Sequence, residues 1–278
     1  MQTILVPTDF SDTSKNIALY AIALAKQIGV SKIVLYNAYG VVMPVMNIDQ
    51  NFPTAMPVDI EVYKNISNTG LTTFANSLQS LCNNQVILET FSDFNNLVTG
   101  ISEAVTTYHV DLVIMGVSSA NSLEESLIGS NAVDVAKEVT VPMIIVPPNA
   151  VYKPIEEIAL AVDLKKVATT TPIQPIKTLL DIVKAKLFVV HVNDGEDADD
   201  KDKEMVVLST LLQGYNPEYF FVNNASFIDG INDFVDSKNV DLIVTIPKKH
   251  GWFESLFTAS HTKVLAFHSH VPLMVIHD

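Results

Sequence analysis

An internal repeat constrains the fold of this 278-residue chain more than any other feature of its sequence. Two pairs of segments match after a shift of 154 residues: TILVPTDFS (3–11) with EIALAVDLK (157–165), and KIVLYNA (32–38) with KLFVVHV (186–192). Two further pairs match after a shift of 130 residues: VDLVIMG (110–116) with VDLIVTI (240–246), and VPMIIVP (141–147) with VPLMVIH (271–277). Because each shift holds over two separated segments, we predict two copies of one fold. The predicted domains are 1–149 and 154–278, joined by the proline-bearing segment PPNAVYKP.

Each copy alternates short apolar runs, typical of buried strands, with longer amphipathic patterns, typical of helices. The predicted strands are 3–7, 32–38, 85–90, 110–116 and 141–147, then 157–162, 186–192, 218–223, 240–245 and 271–276. The predicted helices of the first copy span 11–29, 58–82, 94–109 and 130–139, with Ser11 or Ser14 as the first cap and Gly29 at that helix's end. This alternation predicts an α/β protein of two tandem, doubly wound domains, each with a five-stranded parallel sheet.

The charge balance excludes several classes of partner. The net charge is −14 and the sequence pI is about 4.8, so nucleic acid and anionic membrane surfaces are both repelled. No apolar run approaches the ~18–20 residues of a membrane span, and the start, MQTILVPTDFSD, lacks the regions of a signal peptide. Cys82 is the single cysteine, which excludes a disulfide framework. We expect a cytoplasmic protein that binds neither nucleic acid nor membranes, and a single nucleotide remains compatible with this charge.

In a doubly wound sheet, ligands bind outside the carboxyl ends of the strands, where the winding direction reverses. If the chain starts in the middle of the sheet, the loops after the first and fourth strands flank that point. The second of these loops has small and polar residues suited to a phosphate: Gly116, Ser118, Ser119, Gly129, Ser130 and Asn131. Gly116 allows close backbone approach or a positive φ, and the last three residues open a helix whose free amides attract anions. From the first loop, Asp9 can accept a hydrogen bond from a ribose hydroxyl or an adenine amino group.

At these residues the sequence resembles the universal stress protein family. The resemblance is carried by the order of the elements, by VPTDFS after the first strand, and by VDLVIMG…GSN…VPMIIVP, and it covers the whole chain as a tandem pair. Nucleotide-binding members of that family have Gly, two residues, Gly, nine residues, Gly, then Ser or Thr. Gly116, Ser119, Gly129 and Ser130 stand at this spacing, with Ser119 in place of the second glycine. The resemblance implies an adenine nucleotide alpha hydrolase-like fold and a role in the stress response.

The resemblance also implies a ligand, ATP or AMP, held by the first copy with or without Mg²⁺. The residues implied on the adenosine side are Asp9, Asn37 and Ala38, and those implied on the phosphate side are Gly116, Ser119, Gly129, Ser130 and Asn131. Beside them, four further residues complete the predicted site: Pro7, Thr8, Met115 and Ser118. In the family, paired domains meet through their last strands, so we expect VPMIIVPP and VPLMVIHD to meet within this chain. A homodimer and an unidentified protein partner are further options.

The second copy departs from this pattern. Its residues at the matching positions are Ile246 for Gly116, Lys249 for Ser119 and Ala259 for Gly129. We interpret it as a copy that keeps the fold and has lost the phosphate loop, although Lys248, Lys249 and His250 leave anion binding open.

Other interpretations of the first loop also stay open. GVSSA is similar to a Gly-x-Ser-x-Gly nucleophile elbow with Ser118 as the nucleophile, but an elbow needs a helix directly after the serine. Ser119 and the degenerate second copy also fit a nucleotide-free module that binds a protein partner. A third alternative is a weak ATPase, in which hydrolysis is slow because no tuned base is evident. Apart from this similarity at Ser118, no sequence pattern indicates a catalytic residue, and none indicates a metal site.

Overall fold

The structure is a computed structural model that describes residues 1–40, 59–116, 130–148, 150–193, 201–224, 226–246 and 271–277. The strands in these ranges are β1 (Thr3–Pro7), β2 (Lys32–Tyr39), β3 (Ile87–Phe94), β4 (Leu112–Gly116), β5 (Met143–Val146), β6 (Glu157–Ala161), β7 (Lys186–Asn193), β8 (Glu218–Asn223), β9 (Leu242–Thr245) and β10 (Leu273–Val275). The helices are α1 (Asp12–Ile28), α2 (Ile60–Leu78), α3 (Leu97–Thr107), α4 (Ser130–Glu138), α5 (Val167–Thr170), α6 (Ile173–Val183), α7 (Lys201–Leu211) and α8 (Phe227–Lys238). A 3₁₀ helix, Gln79–Leu81, follows α2.

The strands form one sheet in the order β3-β2-β1-β4-β5-β10-β9-β6-β7-β8. We call β1 to β5 with their helices the first half and β6 to β10 with theirs the second half. Within each half the neighbouring strands are parallel, and β1 lies between β2 and β4 as β6 lies between β7 and β9. Each half therefore starts in the middle of its five strands, which is the condition on which the predicted ligand site depends, and the carboxyl ends of β1 and β4 flank the point of reversal.

The strand register confirms the internal repeat. Ile4 of β1 lies opposite Leu112 of β4. In the second half Ile158, which is 154 residues after Ile4, lies opposite Leu242, which is 130 residues after Leu112. Both sequence shifts therefore describe the same pairing of strands in three dimensions.

The two halves meet through their last strands, as expected. β5 and β10 are antiparallel, with Met143 opposite Val275 and Ile145 opposite Leu273. All the other strand pairs described in the sheet are parallel. Because β5 and β10 cover each other, the free edges of the sheet are β3 and β8.

The first helix follows from local signals in the sequence. Ser11 is the N-cap, and its hydroxyl oxygen accepts a hydrogen bond from the amide of Ser14 at 3.2 Å. Gly29 ends the helix in the left-handed conformation, with φ at 72°. Ile17 and Leu24 are among the residues that its inner face buries. Of the two predicted caps, Ser11 is therefore the one in use.

Two buried clusters cover the two faces of the sheet, and each contains residues of both halves. One includes side chains from α1, α2, α6 and α7, and the other includes side chains from α3, α4 and α8. Successive residues of a strand join opposite clusters, as Ile4 and Leu5 do. Burial on both faces explains why the strands are continuous apolar runs. No helix within the described ranges is long and apolar enough to cross a bilayer.

The third strand differs from its prediction. The apolar run QVILET predicts a strand over 85–90, whereas β3 extends over Ile87–Phe94 and includes the polar segment around Ser92 and Asp93. An edge strand is half exposed, so an apolar pattern does not mark its end. The same error moves the start of α3 from residue 94 to Leu97.

Candidate functional site

A cleft of about 400 Å³ opens at the carboxyl ends of β1, β2 and β4. Eight predicted site residues line it: Pro7, Thr8, Asp9, Asn37, Ala38, Met115, Gly116 and Asn131. Ser130 is the first residue of α4. The other three predicted residues, Ser118, Ser119 and Gly129, lie outside the described ranges. The fold thus brings the loop after β1, the ends of β2 and β4, and the start of α4 to one place.

The cleft also has walls that the sequence did not reveal. Six further residues line it: Ser11, Thr13, Ser14, Ile17, Asn95 and Leu97. The first four belong to the N-cap and first turns of α1, and the predicted helix start at Ser11 was the signal that could have identified them. Asn95 and Leu97 remained hidden because β3 was predicted to end at residue 90. With its true end at Phe94, the residues that follow reach the same edge of the sheet as the loop after β1.

The loop after β1 holds Asp9 in a network of hydrogen bonds. The Oδ1 atom of Asp9 accepts from the hydroxyl of Ser11 at 2.6 Å, from the hydroxyl of Ser14 at 2.5 Å and from the amide of Ser11 at 3.0 Å. The amide of Asp9 in turn donates to the Ser14 hydroxyl at 3.3 Å. All three of these bonds use Oδ1, and among the described residues none donates to the second carboxylate oxygen.

These contacts set the protonation of Asp9. Burial raises the pKa of the Asp9 carboxyl, but the hydrogen bonds from Ser11 and Ser14 favour its charged form more strongly and lower the pKa below its ordinary value. Asp9 is therefore a carboxylate near neutral pH, and a weak proton acceptor.

The lowered pKa of Asp9 predicts a pH-dependent stability. The folded-state pKa lies below the unfolded value of about 3.9, so the stabilisation is present above that pH and is lost as the pH falls through the folded pKa. The free energy of unfolding in urea should therefore be higher for the parent than for Asp9→Asn near neutral pH, and this difference should shrink as the pH falls below about 4. Ser14→Ala, which removes one donor, should reduce this dependence. A difference between parent and Asp9→Asn that is constant from pH 7 to pH 2 would contradict the assignment.

A polar side chain links the first two strands beside the cleft in each half. Asn37 donates to the carbonyl of Thr8 at 2.7 Å and accepts from the buried hydroxyl of Ser67 in α2 at 2.6 Å. In the second half His191 stands at the matching position, and its Nδ1 atom lies 3.0 Å from the carbonyl of Val162. Because a carbonyl only accepts, the histidine nitrogen is the donor. The position of the loop after the first strand is therefore fixed in the same way in both halves.

The sequence left two reasons for a glycine at position 116, close approach or a positive φ. Its φ is not in the left-handed region, so positive φ is not the reason for a glycine here. A Cβ at this position would lie 2.7 Å from the Cγ1 atom of Ile17 in α1. The absent side chain therefore lets α1 lie close to the end of β4, which narrows the cleft between these two elements.

The charge distribution in the cleft limits how it can hold an anion. Asp9 is the only charged side chain among the described residues that line it. Asn131 lies in the first turn of α4, where the backbone amides have no partner within the helix and the helix dipole is positive. An anionic group is therefore favoured at the α4 end of the cleft and disfavoured beside Asp9. Over the described parts of the chain, no three His, Cys, Asp or Glu side chains are grouped as metal ligands.

The second half keeps the acidic turn at the matching position. Asp163 accepts from the amide of Lys165 at 3.1 Å, just as Asp9 accepts from the amide two residues after it. Leu164 has φ at 50° and Phe10 has φ at 66°, so both turns place an apolar residue in the left-handed region. The backbone of the turn is thus a property of the fold and is not by itself a sign of ligand binding.

The opposite side of the crevice differs between the halves. Ile246, at the position that matches Gly116, is 6% exposed. Its side chain belongs to the same buried cluster as that of Ile17 in α1. The corresponding helix of the second half is interrupted, with α5 ending at Thr170 and α6 starting at Ile173. The other two predicted replacements, Lys249 and Ala259, lie outside the described ranges, and so do the basic residues 248–250.

These features define a class: an α/β protein with two repeats in one sheet, whose first repeat has an open cleft where the strands reverse direction. The family model described as "Universal stress protein family" matches residues 1–147, more than half of the chain. The chain therefore belongs to the universal stress protein family, as its motifs predicted.

Two of the solved structures that this chain resembles share the fold of the whole chain, and the third matches about half of it. A universal stress protein from Archaeoglobus fulgidus DSM 4304 is 19% identical, with a TM-score of 0.74, and the match covers 99% of this chain and 98% of that one. A functionally unknown protein from Pseudomonas aeruginosa PAO1 is 12% identical, with a TM-score of 0.60, covering 100% and 92%. A universal stress protein in complex with cAMP is 20% identical, with a TM-score of 0.37, covering 52% of this chain and 96% of that one. No curated protein matches the sequence.

Proposed function

We propose that this chain is a stress-response protein that holds one adenine nucleotide, ATP or AMP, in the cleft of its first half. The observation that carries the proposal is the meeting of Asp9, the ends of β2 and β4, and the first turn of α4 around one open space of about 400 Å³. That volume lies within the range of small-molecule sites, which is roughly 300–1,000 Å³.

The adenosine would lie on the side of β1 and β2. Asp9 has one carboxylate oxygen that is not used in its hydrogen bonds to Ser11 and Ser14, and a carboxylate is a strong acceptor for ribose hydroxyls. Ala38 adds an apolar surface for the base. Because Asn37 is already bonded to Thr8 and Ser67, its side chain would shape the site more than it would select the ligand.

The phosphates would lie toward α4. The free amides at the start of this helix favour negative charge, and Asn131 offers an amide donor at the same end. The phosphates are thereby kept away from the Asp9 carboxylate. Mg²⁺ would offset the charge of a triphosphate in a site that has no cationic side chain among its described lining residues.

The cleft suits holding a nucleotide better than hydrolysing it. A general base works best with a pKa near the working pH, whereas hydrogen bonding lowers the pKa of Asp9 below its ordinary value. Asp9 would therefore be a poor base for activating a water molecule. A weak ATPase remains the alternative that turnover of labelled ATP would reveal.

Calorimetric titration with ATP and Mg²⁺, and separately with AMP, tests the proposal. We expect the parent to bind one nucleotide per chain and Asp9→Ala to bind at least about tenfold more weakly, because it loses a charge-assisted hydrogen bond. Asp163→Ala is the matched control, since it removes the same turn in the second half and should bind as the parent does. Absence of binding by the parent up to millimolar ATP, or equal loss in both variants, would overturn the proposal.

A further inference from the structure

We propose that the second half and the linker position both walls of the first-half cleft, and that His277 is the residue that fixes the α4 wall. The inference deepens the proposed function and rests on it for its nucleotide readout. It is carried by two sets of hydrogen bonds that cross from the cleft walls to the linker and to the C-terminal strand.

The first set holds α4 from its C-terminal end. His277 follows β10, and its Nε2 atom lies 2.6 Å from the carbonyl oxygen of Ala136. The carbonyl can only accept, so Nε2 carries the proton and donates. Ala136 lies in the last turn of α4, where carbonyls have no partner within the helix. His277 therefore caps a helix of the first half from the last strand of the second.

The capped helix leads directly to the cleft. Asn131, in its first turn, lines the cleft, and at 1.5 Å per residue it lies about 7.5 Å along the axis from Ala136. α4 has nine residues, and a helix of that length depends on tertiary contacts for its stability. A shift of its C-terminal end is consequently passed to the amides that face the cleft.

The second set holds α1, the opposite wall. Ile17 and Ser14 line the cleft, and Asn16 between them donates to the carbonyl oxygens of Pro148 and Ala150, each at 3.0 Å.

Toward the C-terminal end of α1, the linker and Ile155, the residue after it, make further contacts with this helix. Gln27 donates to the carbonyl of Ile155 at 3.0 Å and accepts from the amide of the same residue at 3.0 Å. Tyr152 packs edge-on against Tyr20, with ring centroids 5.2 Å apart. The linker is thus bound along the length of α1 and does not simply connect two halves.

This arrangement gives the second half a role that does not depend on a ligand of its own. The second half has Ile246 where the first half has Gly116, yet His277 after its last strand and the linker contact the helices that form both walls of the first-half cleft. A copy that no longer keeps the glycine can therefore still be required for binding in the other copy.

The test compares His277→Ala, His277→Gln and Tyr215→Phe in the full chain. Glutamine can donate to the Ala136 carbonyl, so His277→Gln should keep the hydrogen bond that His277→Ala removes. Tyr215→Phe is the control, because it removes a 2.9 Å hydrogen bond to Asp181 within the second half. We expect His277→Ala to bind ATP with Mg²⁺ roughly fivefold to tenfold more weakly and to exchange the amides of α4 faster without nucleotide. The glutamine variant and the control should match the parent in both measurements.

The exchange measurement separates this inference from the proposed function. A parent that binds no ATP, with faster exchange at α4 in His277→Ala, would overturn the proposed function and support the positioning role. Unchanged exchange at α4 in His277→Ala would overturn the positioning role whatever the nucleotide result. Asn16→Ala tests the α1 contact in the same way, with faster exchange at the first turns of α1 as the expected result, so the inference does not depend on the folding of one variant.

Discussion

Replacing Gly100 with alanine should destabilise the protein by about 3 kcal/mol or more. A Cβ at this position in α3 would lie 1.8 Å from the hydroxyl oxygen of Tyr36, 3.0 Å from its Cζ atom and 3.3 Å from the Cβ of Asn95. Tyr36 cannot move away easily, because it is fully buried and its hydroxyl donates to Asp93 at 2.6 Å. Either α3 shifts away from β2 or this buried hydrogen bond breaks. Chemical denaturation of the parent and the variant measures the loss.

A second substitution tests whether the hydroxyl oxygen of Tyr36 causes this loss of stability. Tyr36→Phe removes the hydroxyl oxygen, so Gly100→Ala should cost much less in that background than in the parent. Gly40→Ala is the control for the loss of a glycine, because among the described residues its Cβ would meet only the carbonyl oxygen of Asn95, at an ordinary 3.7 Å. Equal costs of Gly100→Ala in the two backgrounds would show that the clash with Tyr36 is not the cause.

The protonation of Tyr36 supports the same interpretation. Burial raises the pKa of the Tyr36 phenol, and the hydrogen bond to Asp93 raises it further. The phenol therefore keeps its proton and remains the donor to the Asp93 carboxylate. Asp93 also accepts from Asn95 at 3.4 Å, and Asn95 lines the cleft. Gly100 thus supports the third-strand side of the cleft through Tyr36 and Asp93.

Gly100 also illustrates how far the sequence alone reaches. The 130-residue shift aligns it with Gly230, so the sequence marks both positions without giving the cause. At Gly230 a Cβ would instead meet the Cγ1 atom of Val192 at 2.9 Å. Both glycines allow a helix to lie close to the second strand of its half, but the side chain in contact differs. A contact with a partner so distant along the chain leaves no local pattern.

The candidate site likewise contains residues that the sequence identifies and residues that only the structure identifies. Local sequence patterns are sufficient to identify a site residue where a strand ends in a polar turn, as at Asp9, or where a helix begins, as at Asn131. They are insufficient at Asn95, because the edge strand before it is polar at its end. They leave two reasons open at Gly116, and only the structure shows that the reason is the approach of Ile17 from α1 and not a positive φ. Residues whose roles depend on packing across the sheet require the structure.

The packing of aromatic side chains in the second half predicts a second substitution that strongly lowers the free energy of unfolding. Phe188 of β7 is 1% exposed and packs edge-on against Phe220 and Phe234, with ring centroids 5.7 and 5.8 Å away. Phe188→Ala should lower the free energy of unfolding by about 3–5 kcal/mol, from lost burial and the cavity that remains. Phe221→Ala is the matched control, because Phe221 in the neighbouring strand is 57% exposed and its truncation should cost less than about 1 kcal/mol.

The same variant tests whether the two halves unfold as one unit. The buried cluster that contains Ile4 of the first half also contains Ile158 of the second, and the β5–β10 ladder joins the halves at the centre of the sheet. Unfolding the second half alone would expose that shared apolar surface, together with the linker contacts of Asn16 and Gln27. Phe188→Ala should therefore shift one cooperative transition, and hydrogen exchange in β1 should become faster along with exchange in β7. A first half that keeps its protection while β7 exchanges freely would mean that the halves unfold separately, and would remove the mechanical basis for positioning the cleft from the second half.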